Sequence, residues 1–197
     1  MLSLASALIF GCTPNPVKTI ENLKAASNGE STASTKYAAF AEKAMEEGFD
    51  TIAVMFRATS KAEAIHAANH KKVLVKLGVT VVDPQIGTFS VMSTAENLAD
   101  AIKGETYEIE TMYPEFIASA EKEKSKDAIK SFTWAHDTEK KHQAFYKKAL
   151  ETLNGGNETG LPLKWMVCPV CGNTYDLASL KEACDFCMTK REKFIAF

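Results

Sequence analysis

Two pairs of acidic and histidine residues in this 197-residue chain have the spacing of metal ligands. Glu63 precedes His66 by three positions, and Glu139 precedes His142 by the same interval. Residues three apart on a helix share a face, so each carboxylate and its imidazole can reach one ion. Oxygen and imidazole donors together suit iron or manganese. The two Glu-x-x-His motifs therefore indicate a metal site to which two helices contribute.

Three more glutamates, Glu30, Glu105 and Glu108, fall where the apolar face of a predicted helix would otherwise continue. Five buried carboxylates would repel one another, and each is costly to bury unless it is paired or bound to a metal. Two multivalent cations would neutralise this charge and allow carboxylates to bridge them. One Glu-x-x-His motif is common by chance, but two of them with three further glutamates favour a two-metal site. His70 and His136 lie outside this pattern and are interpreted as surface or packing residues.

Four of the five cysteines form two C-x-x-C pairs near the C-terminus. The pairs are Cys168 with Cys171 and Cys184 with Cys187. Four thiolates at this spacing make a tetrahedral site for zinc or for a single iron. Nearby aromatic residues, which can shield the thiolates from water, favour a redox-active iron, and a structural zinc ribbon is the alternative. These aromatic residues are Trp165, Tyr175, Phe186 and Phe194.

Hydrophobic periodicity predicts four long helices, at about residues 19–47, 50–77, 94–124 and 126–153. Residues 79–93 break this pattern and are interpreted as a crossover connection between the second and third helices. Each helix carries part of the glutamate and histidine set, so packing the helices together would assemble the metal site. We therefore expect an all-α four-helix bundle, followed by a small β/knuckle module. That module is too short to bury a core of its own and needs a metal to hold it together.

The predicted organisation has four parts. They are a leader and tether at 1–17, the bundle at 18–154, a linker at 155–164 and the four-cysteine module at 165–197. The apolar start ends at Cys12, as in a lipoprotein that is lipid-anchored through this cysteine, although no basic residue precedes Lys18. This interpretation predicts a periplasmic or membrane-anchored protein. A frayed N-terminus with a spare cysteine predicts a cytoplasmic one.

Composition excludes several other classes of protein. The chain has 23 Lys and Arg against 25 Asp and Glu, a net charge of −2, which argues against a nucleic-acid partner. Hydrophobic residues make up 46%, which is typical of a globular chain. No apolar run approaches the ~18 residues that a transmembrane helix needs.

Taken together, these residues resemble rubrerythrin, a ferritin-like di-iron domain joined to a C-terminal rubredoxin-like domain. The resemblance covers about residues 18–197 and rests on motifs around the predicted ligands. These motifs are Gly29-Glu30-Ser31, Glu63-x-x-His66, Gly104-Glu105-Thr106-Tyr107-Glu108, Met112-Tyr113-Pro114-Glu115-Phe116, Glu139-x-x-His142 and Cys168-Pro-Val-Cys171-Gly172-x-x-Tyr175-Asp176. All seven positions that supply di-iron ligands in the family carry the expected residue type. Tyr37 and Tyr113 match the tyrosines that flank the di-iron site.

The resemblance implies a peroxidase that reduces hydrogen peroxide to water and protects against oxidative stress. It implies two irons in the bundle and one iron in the four-cysteine site. The bundle ligands would be Glu30, Glu63, His66, Glu105, Glu108, Glu139 and His142. Glu108 and His66 would exchange as ligands of one iron, and Tyr37 and Tyr113 would donate hydrogen bonds at the site.

The resemblance also implies how electrons reach the bundle. They would come from an NADH-linked reductase or from a rubredoxin, and the four-cysteine iron would relay them. In the family this iron lies near the di-iron site of a partner subunit, so a homodimer is expected.

The second cysteine pair departs from the family pattern. The chain reads Cys184-Asp185-Phe186-Cys187-Met188, where the family usually has Cys-Pro-x-Cys-Gly. Glycine after the second cysteine allows a positive φ, and Met188 makes that turn less easy. Two alternatives therefore stay open beside the peroxidase: an iron-handling ferroxidase or store, and a bundle with a structural zinc tail. The cysteine tail disfavours the first, and the complete set of seven ligands disfavours the second.

Overall fold

The structure is a computed structural model that describes residues 15–156 and 158–197. The candidate lipid anchor at Cys12 and the predicted leader up to residue 14 lie outside these residues. Within the described part of the chain, no helix is both long and apolar enough to cross a membrane.

Helices account for most of the described chain. They are α1 (Val17–Glu46), α2 (Asp50–Lys76), α3 (Thr94–Tyr107), α4 (Tyr113–Lys122) and α5 (Lys126–Asn154). A π-helical turn, Glu108–Met112, joins α3 to α4, so that the two form one long arm of the bundle. The result is four long helical arms, which confirms the predicted four-helix bundle.

Local sequence sets where these helices begin and end. Gly48 and Gly78 adopt positive φ after α1 and α2, which stops each helix. Residues 79–93 form neither helix nor strand, which confirms the predicted connection. Ser93 and Glu96 then form a capping box at the start of α3: each side chain accepts a hydrogen bond from the other residue's backbone N–H.

The π turn is a difference from the single α-helix that periodicity predicts for residues 94–124. In a straight α-helix, residues 105, 109 and 112 would share a face. The π turn inserts one extra residue, so Tyr113 as well as Met112 faces the core below Glu105. A one-residue insertion of this kind leaves too small a trace in the hydrophobic pattern to be predicted.

Two apolar cores lie in the bundle with a polar layer between them. On α1, Leu23 belongs to one core and Phe40 to the other, and Glu30 lies between them. On α5, Phe132 and Tyr146 are separated in the same way by the Glu139 motif. The two cores hold the helices together, and the layer between them is where the acidic and histidine side chains meet.

The C-terminal module is a three-stranded antiparallel sheet with short loops. Its strands are β1 (Trp165–Val167), β2 (Thr174–Asp176) and β3 (Ile195–Ala196), in the order β2-β1-β3. The module packs directly on its own bundle. Asn69 of α2 donates to the Val170 carbonyl at 2.8 Å, and Lys141 of α5 donates to Asn173 Oδ1 at 2.6 Å.

Trp165 links the module to the bundle instead of shielding the cysteines as expected. Its ring centroid lies 4.5 Å from that of Phe145 on α5, in an edge-to-face contact. It belongs to the bundle core, whereas Tyr175, Phe186 and Phe194 pack around the cysteines. The indole sits at the start of β1, at the edge of the module that meets α5.

Candidate metal centres

The acidic and histidine side chains of the polar layer form two overlapping clusters. The first cluster is Glu30, Glu63, His66 and Glu139, and the second is Glu63, Glu105, Glu139 and His142. Within each cluster the donor atoms lie within 4.8 Å of one another, and all six side chains are buried. The spacing of three places the Glu-x-x-His pairs of α2 and α5 in the layer, and helix packing adds Glu30 from α1 and Glu105 from α3.

Glu63 and Glu139 belong to both clusters and have the geometry of bridging carboxylates. Nδ1 of His66 lies 2.9 Å from Glu63 Oε2 and 3.0 Å from Glu139 Oε1. Nδ1 of His142 lies 2.9 Å from the other oxygen of each carboxylate. Each glutamate thus directs one oxygen toward each imidazole, as two carboxylates shared by a pair of cations would.

The polar layer fits a pair of metal ions by the chemistry of its donor atoms. Several buried oxygen and nitrogen atoms have no hydrogen-bond partner, a costly arrangement in a protein interior. These include Glu30 Oε2, Glu63 Oε1, Glu105 Oε2, both oxygens of Glu139 and His142 Nδ1. Bound cations would satisfy these atoms, and the mixed carboxylate and imidazole set suits iron or manganese.

Burial and mutual repulsion dominate the electrostatics of the layer. Burial, together with the negative charge of Glu63, raises the pKa of Glu105 and of Glu139 well above the ordinary value of 4.5. Burial has the same effect on the pKa of Glu30. Although burial alone would also raise the pKa of Glu63, the imidazoles of His142 and His66 bring it down to about 2. Burial and repulsion therefore favour the binding of protons or cations by the layer.

Two buried tyrosines orient carboxylates of the layer. The Tyr37 hydroxyl donates to Glu105 Oε1 at 2.6 Å, and the Tyr113 hydroxyl donates to Glu30 Oε1. Burial raises the pKa of both phenols well above 10, so both remain donors. This places the two predicted tyrosines beside the layer, one on each side.

Glu108 is the one predicted ligand that lies outside both clusters. It occupies the first position of the π turn and is only partly buried. Burial and the charges of Glu30 and Glu63 raise its pKa. The side chain is therefore electrostatically coupled to the layer without joining the donor atoms at its centre.

His70 is a buried member of the same region, and not a surface residue. It has no exposed area, and its ring nitrogens lie 3.2 Å from the Tyr113 hydroxyl and 2.8 Å from Ser131 Oγ. The available signal was its position four residues after His66, which places it on the same face of α2. His136 is a packing residue: it is partly buried, and its Nε2 lies 3.2 Å from the Ile109 carbonyl oxygen.

The four cysteines form a separate cluster in the module. Their sulfur atoms lie within 4.8 Å of one another, with Cys168 to Cys187 and Cys171 to Cys184 both at 3.4 Å. Three of the cysteines are buried and Cys187 is partly exposed. Four sulfurs in this arrangement fit one tetrahedral ion.

The two cysteine loops have matching backbones but different residues at the position after the second cysteine. Gly172 and Met188 both adopt a left-handed φ, of 83° and 61°. Each donates its backbone N–H to the carbonyl oxygen of the first cysteine of its loop, at 3.0 Å in both cases. The structure therefore shows that Met188 occupies a glycine-type conformation, at a cost of roughly 1–2 kcal/mol. Met188 is largely exposed, so its side chain meets no obstruction.

The first cysteine loop lies directly against the polar layer. A Cβ at Gly172 would lie 3.1 Å from the Ala62 carbonyl oxygen and closer still to the imidazole of His66. Nearby, Thr174 Oγ1 lies 2.9 Å from Nε2 of His142. The cysteine site thus touches both imidazoles through residues of its own loop and strand, within one chain.

These features define a class of protein: a ferritin-like four-helix bundle with a two-metal layer and an appended four-cysteine module. The rubrerythrin family model matches residues 21–150, and the chain belongs to the rubrerythrin family. A di-iron carboxylate–histidine site and a four-cysteine site are present, as in nigerythrin.

Relatives of known sequence cover nearly the whole chain. Nigerythrin of Nitratidesulfovibrio vulgaris is 34% identical over 179 residues, which span 91% of this chain and 86% of nigerythrin. Rubrerythrin-2 of Clostridium acetobutylicum is 32% identical over 182 residues, which span 91% of this chain and 96% of that protein.

Solved structures agree with these relatives. Fully reduced, all-ferrous nigerythrin superimposes with a TM-score of 0.82 at 34% identity, covering 91% of this chain and 86% of that one. An open-pore ferritin from Archaeoglobus fulgidus matches with a TM-score of 0.63 at 17% identity, over 73% of this chain and 88% of that one. The second match shows the shared fold alone.

Proposed function

We propose that this protein is a non-haem di-iron peroxidase that reduces hydrogen peroxide to water. Membership of the rubrerythrin family and the presence of both metal sites support an oxidoreductase of the oxidative-stress type. The observation that carries the finer assignment is the contact of the four-cysteine module with the two imidazoles of the layer, through Gly172 and Thr174. A storage protein has no use for a one-electron site at that position.

The proposed bundle ligands are the seven residues predicted from sequence. They are Glu30, Glu63, His66, Glu105, Glu108, Glu139 and His142. Glu63 and Glu139 would bridge the two ions, because each directs its two oxygens to different imidazoles. Iron held there would supply the two electrons that cleave the oxygen–oxygen bond. Glu108 and His66 are proposed as alternative ligands, since one lies outside the donor clusters and the other inside.

The remaining residues of the layer would control geometry and charge. Five carboxylates offset the charge of two cations, which keeps the site near neutrality in a buried environment. Tyr37 and Tyr113 hold Glu105 and Glu30 in place by hydrogen bonds. Both phenols remain protonated, and because each has one proton, a hydrogen bond to a peroxide substrate would replace the bond to its glutamate.

Electrons are proposed to reach the bundle from the four-cysteine site, held as iron by Cys168, Cys171, Cys184 and Cys187. The external donor would be an NADH-linked reductase or a rubredoxin, and the protein would assemble as a homodimer. Tyr175 supports this site, because its hydroxyl lies 3.6 Å from Cys184 Sγ and its ring packs against Phe194. Hydrogen bonds to sulfur and exclusion of water tune the potential of such a site.

Steady-state peroxide consumption by the iron-loaded chain tests this proposal. Glu139→Gln removes a bridging charge and should abolish bundle iron and turnover, whereas Glu110→Gln changes an exposed glutamate of the same chain and should leave both unchanged. Cys171→Ser should keep bundle iron but slow its re-reduction by the external donor. Full turnover in Glu139→Gln would refute the site assignment, and unchanged re-reduction in Cys171→Ser would refute the relay.

A further inference from the structure

A chain of buried hydrogen bonds leads away from the metal layer on the side opposite Tyr37. Tyr113 donates to Glu30, and the Tyr113 hydroxyl lies 3.2 Å from Nε2 of His70. Nδ1 of His70 lies 2.8 Å from Ser131 Oγ. Glu30, Tyr113 and His70 have no exposed area, and Ser131 is 5% exposed.

This chain ends at the protein surface. Ser131 lines a groove of about 200 Å³ between α2 and α5. Lys72, Asp127 and Lys130 border the same groove and are exposed, so water and charged groups reach its floor. The hydrogen-bonded chain therefore connects bulk solvent to a carboxylate of the layer through three side chains.

The directions of the hydrogen bonds follow from the donor capacity of each group. Tyr113 has a single hydroxyl proton, and that proton is donated to Glu30. The tyrosine oxygen must then accept from Nε2–H of His70, which leaves Nδ1 bare to accept from the Ser131 hydroxyl. Every donor in the chain consequently points inward, from the groove toward Glu30. Burial lowers the pKa of His70 to about 3, which agrees with a neutral ring.

We propose that Ser131, His70 and Tyr113 form the route by which protons enter the metal layer during peroxide reduction. This inference rests on the proposed function. Cleaving the peroxide bond with two electrons and two protons yields two water molecules, so each turnover must bring two protons into a buried site. Each group on the route accepts a proton from its outer neighbour and passes its own inward, so none changes its net charge. The residues act as relay residues, and peroxide touches neither His70 nor Ser131.

The route makes a prediction that needs no turnover. In the full chain loaded with zinc, which is diamagnetic, ¹⁵N-labelled histidine should show His70 as the Nε2–H tautomer. Exchange of this ring proton with water requires proton delivery to Nδ1 through Ser131. Ser131→Val should slow that exchange at least about tenfold relative to the wild type. Ser131→Thr, whose side chain has the shape of valine but keeps a hydroxyl, should exchange as fast as the wild type. An Nδ1–H tautomer, or equal exchange in the two variants, would overturn the route.

Turnover of the iron-loaded chain provides the second readout. Ser131→Val should reduce peroxide roughly tenfold to 100-fold more slowly than Ser131→Thr. The upper figure is the smallest contribution usual for a positioned proton donor. The slowed variant should also show a larger solvent deuterium isotope effect. Equal rates in the two variants would overturn the route while leaving the peroxidase intact. A wild-type chain that does not reduce peroxide would refute the proposed function, and the exchange measurement would still decide the route.

Discussion

At the residue scale, the two shared glutamates determine the character of the layer. Glu63 and Glu139 come from different helices, yet each points one oxygen at His66 and the other at His142. Packing carboxylates so closely is unfavourable for the protein alone, because burial and repulsion raise the pKa of Glu139. The layer therefore lowers the stability of the metal-free protein and in return can bind cations.

Because burying the Glu139 carboxylate is unfavourable without metal, replacing it with a neutral side chain should stabilise the metal-free fold in a pH-dependent way. A carboxyl whose pKa is raised in the folded state stabilises the fold below its ordinary pKa of 4.5 and loses that contribution as pH rises. Metal-free Glu139→Gln should thus become more stable than the metal-free wild type as pH increases, by up to about 1.4 kcal/mol per pH unit. Titrating groups outside the layer cancel in this difference, and the neighbouring carboxylates of the layer add to it because they no longer face the charge of Glu139. Urea unfolding from about pH 5 to about pH 8 measures it.

An exposed glutamate provides the control for this experiment. Glu110→Gln makes the same chemical change at an exposed position outside the layer, and the gain in stability is expected to require a carboxyl of the buried layer. A metal-free Glu139→Gln chain that loses relative stability as pH rises would contradict the account of the layer.

Met188 predicts a second residue-scale effect, in the cysteine module. Its φ of 61° is a left-handed conformation that glycine adopts without steric cost. Met188→Gly should stabilise the module by about 1 kcal/mol, whereas Met188→Ala, which keeps the Cβ, should not. Thermal loss of the iron–thiolate absorption band in the three proteins measures the difference. Equal or lower stability of the glycine variant would show that the turn carries no strain.

Sequence could predict most of the residues of the layer but not all of the contacts between them. Six of the seven expected ligands meet in the layer, and four of them are the two Glu-x-x-His pairs, which a spacing of three fixes on one face of α2 and one face of α5. Glu108 lies three residues after Glu105 but does not join the donor clusters, and it is the residue at which the helix changes to a π turn. The partners of His70 lie on two other helices, so its role depends on contacts that no single-helix pattern displays.

At the element scale, the π turn sets the relation between α3 and α4. It lets Glu105 of α3 and Tyr113 of α4 both face the layer, where they meet Tyr37 and Glu30. Turns of this type commonly occur at functional sites. The predicted α-helix was correct in extent, but its hydrophobic period could not reveal one additional residue.

Deleting Glu110 should convert the π turn into regular α-helix. Tyr113 would then lie seven residues after Glu105, and residues seven apart share a face of an α-helix, so both side chains should still face the layer. We therefore expect the deletion variant to retain bundle iron, as should Glu110→Ala, which keeps the residue count. Metal analysis of the purified proteins provides the measurement. Loss of bundle iron in the deletion variant but not in Glu110→Ala would show that the layer depends on the π turn itself.

At the scale of the whole molecule, the cysteine module lies on its own bundle. The resemblance to rubrerythrin led us to expect this module near the site of a partner subunit. In this structure Gly172 lies against His66, and Thr174 against His142, within one chain. Sequence could predict both metal sites because their spacings are local, but the docking depends on contacts between residues far apart in the chain, which no local spacing displays.

Mixed chains can test whether this contact operates within one subunit. Glu139→Gln leaves the relay intact and damages the bundle site, and Cys171→Ser does the opposite. If the module serves its own bundle, chains carrying one change each should not restore turnover when they are co-expressed and purified together. Recovery of a substantial fraction of wild-type turnover would show that the module serves the bundle of a partner subunit.

The most direct test of the central claim is an anaerobic titration of the fully reduced, iron-loaded chain with hydrogen peroxide. Peroxide consumed, oxygen released and the iron–thiolate band would be recorded together. We expect each chain to consume about one and a half molecules of peroxide, with two electrons from the bundle pair and one from the four-cysteine iron, to release no oxygen, and to lose this reaction in Glu139→Gln. Release of oxygen, or equal peroxide consumption by Glu139→Gln, would contradict a peroxidase centred on this layer.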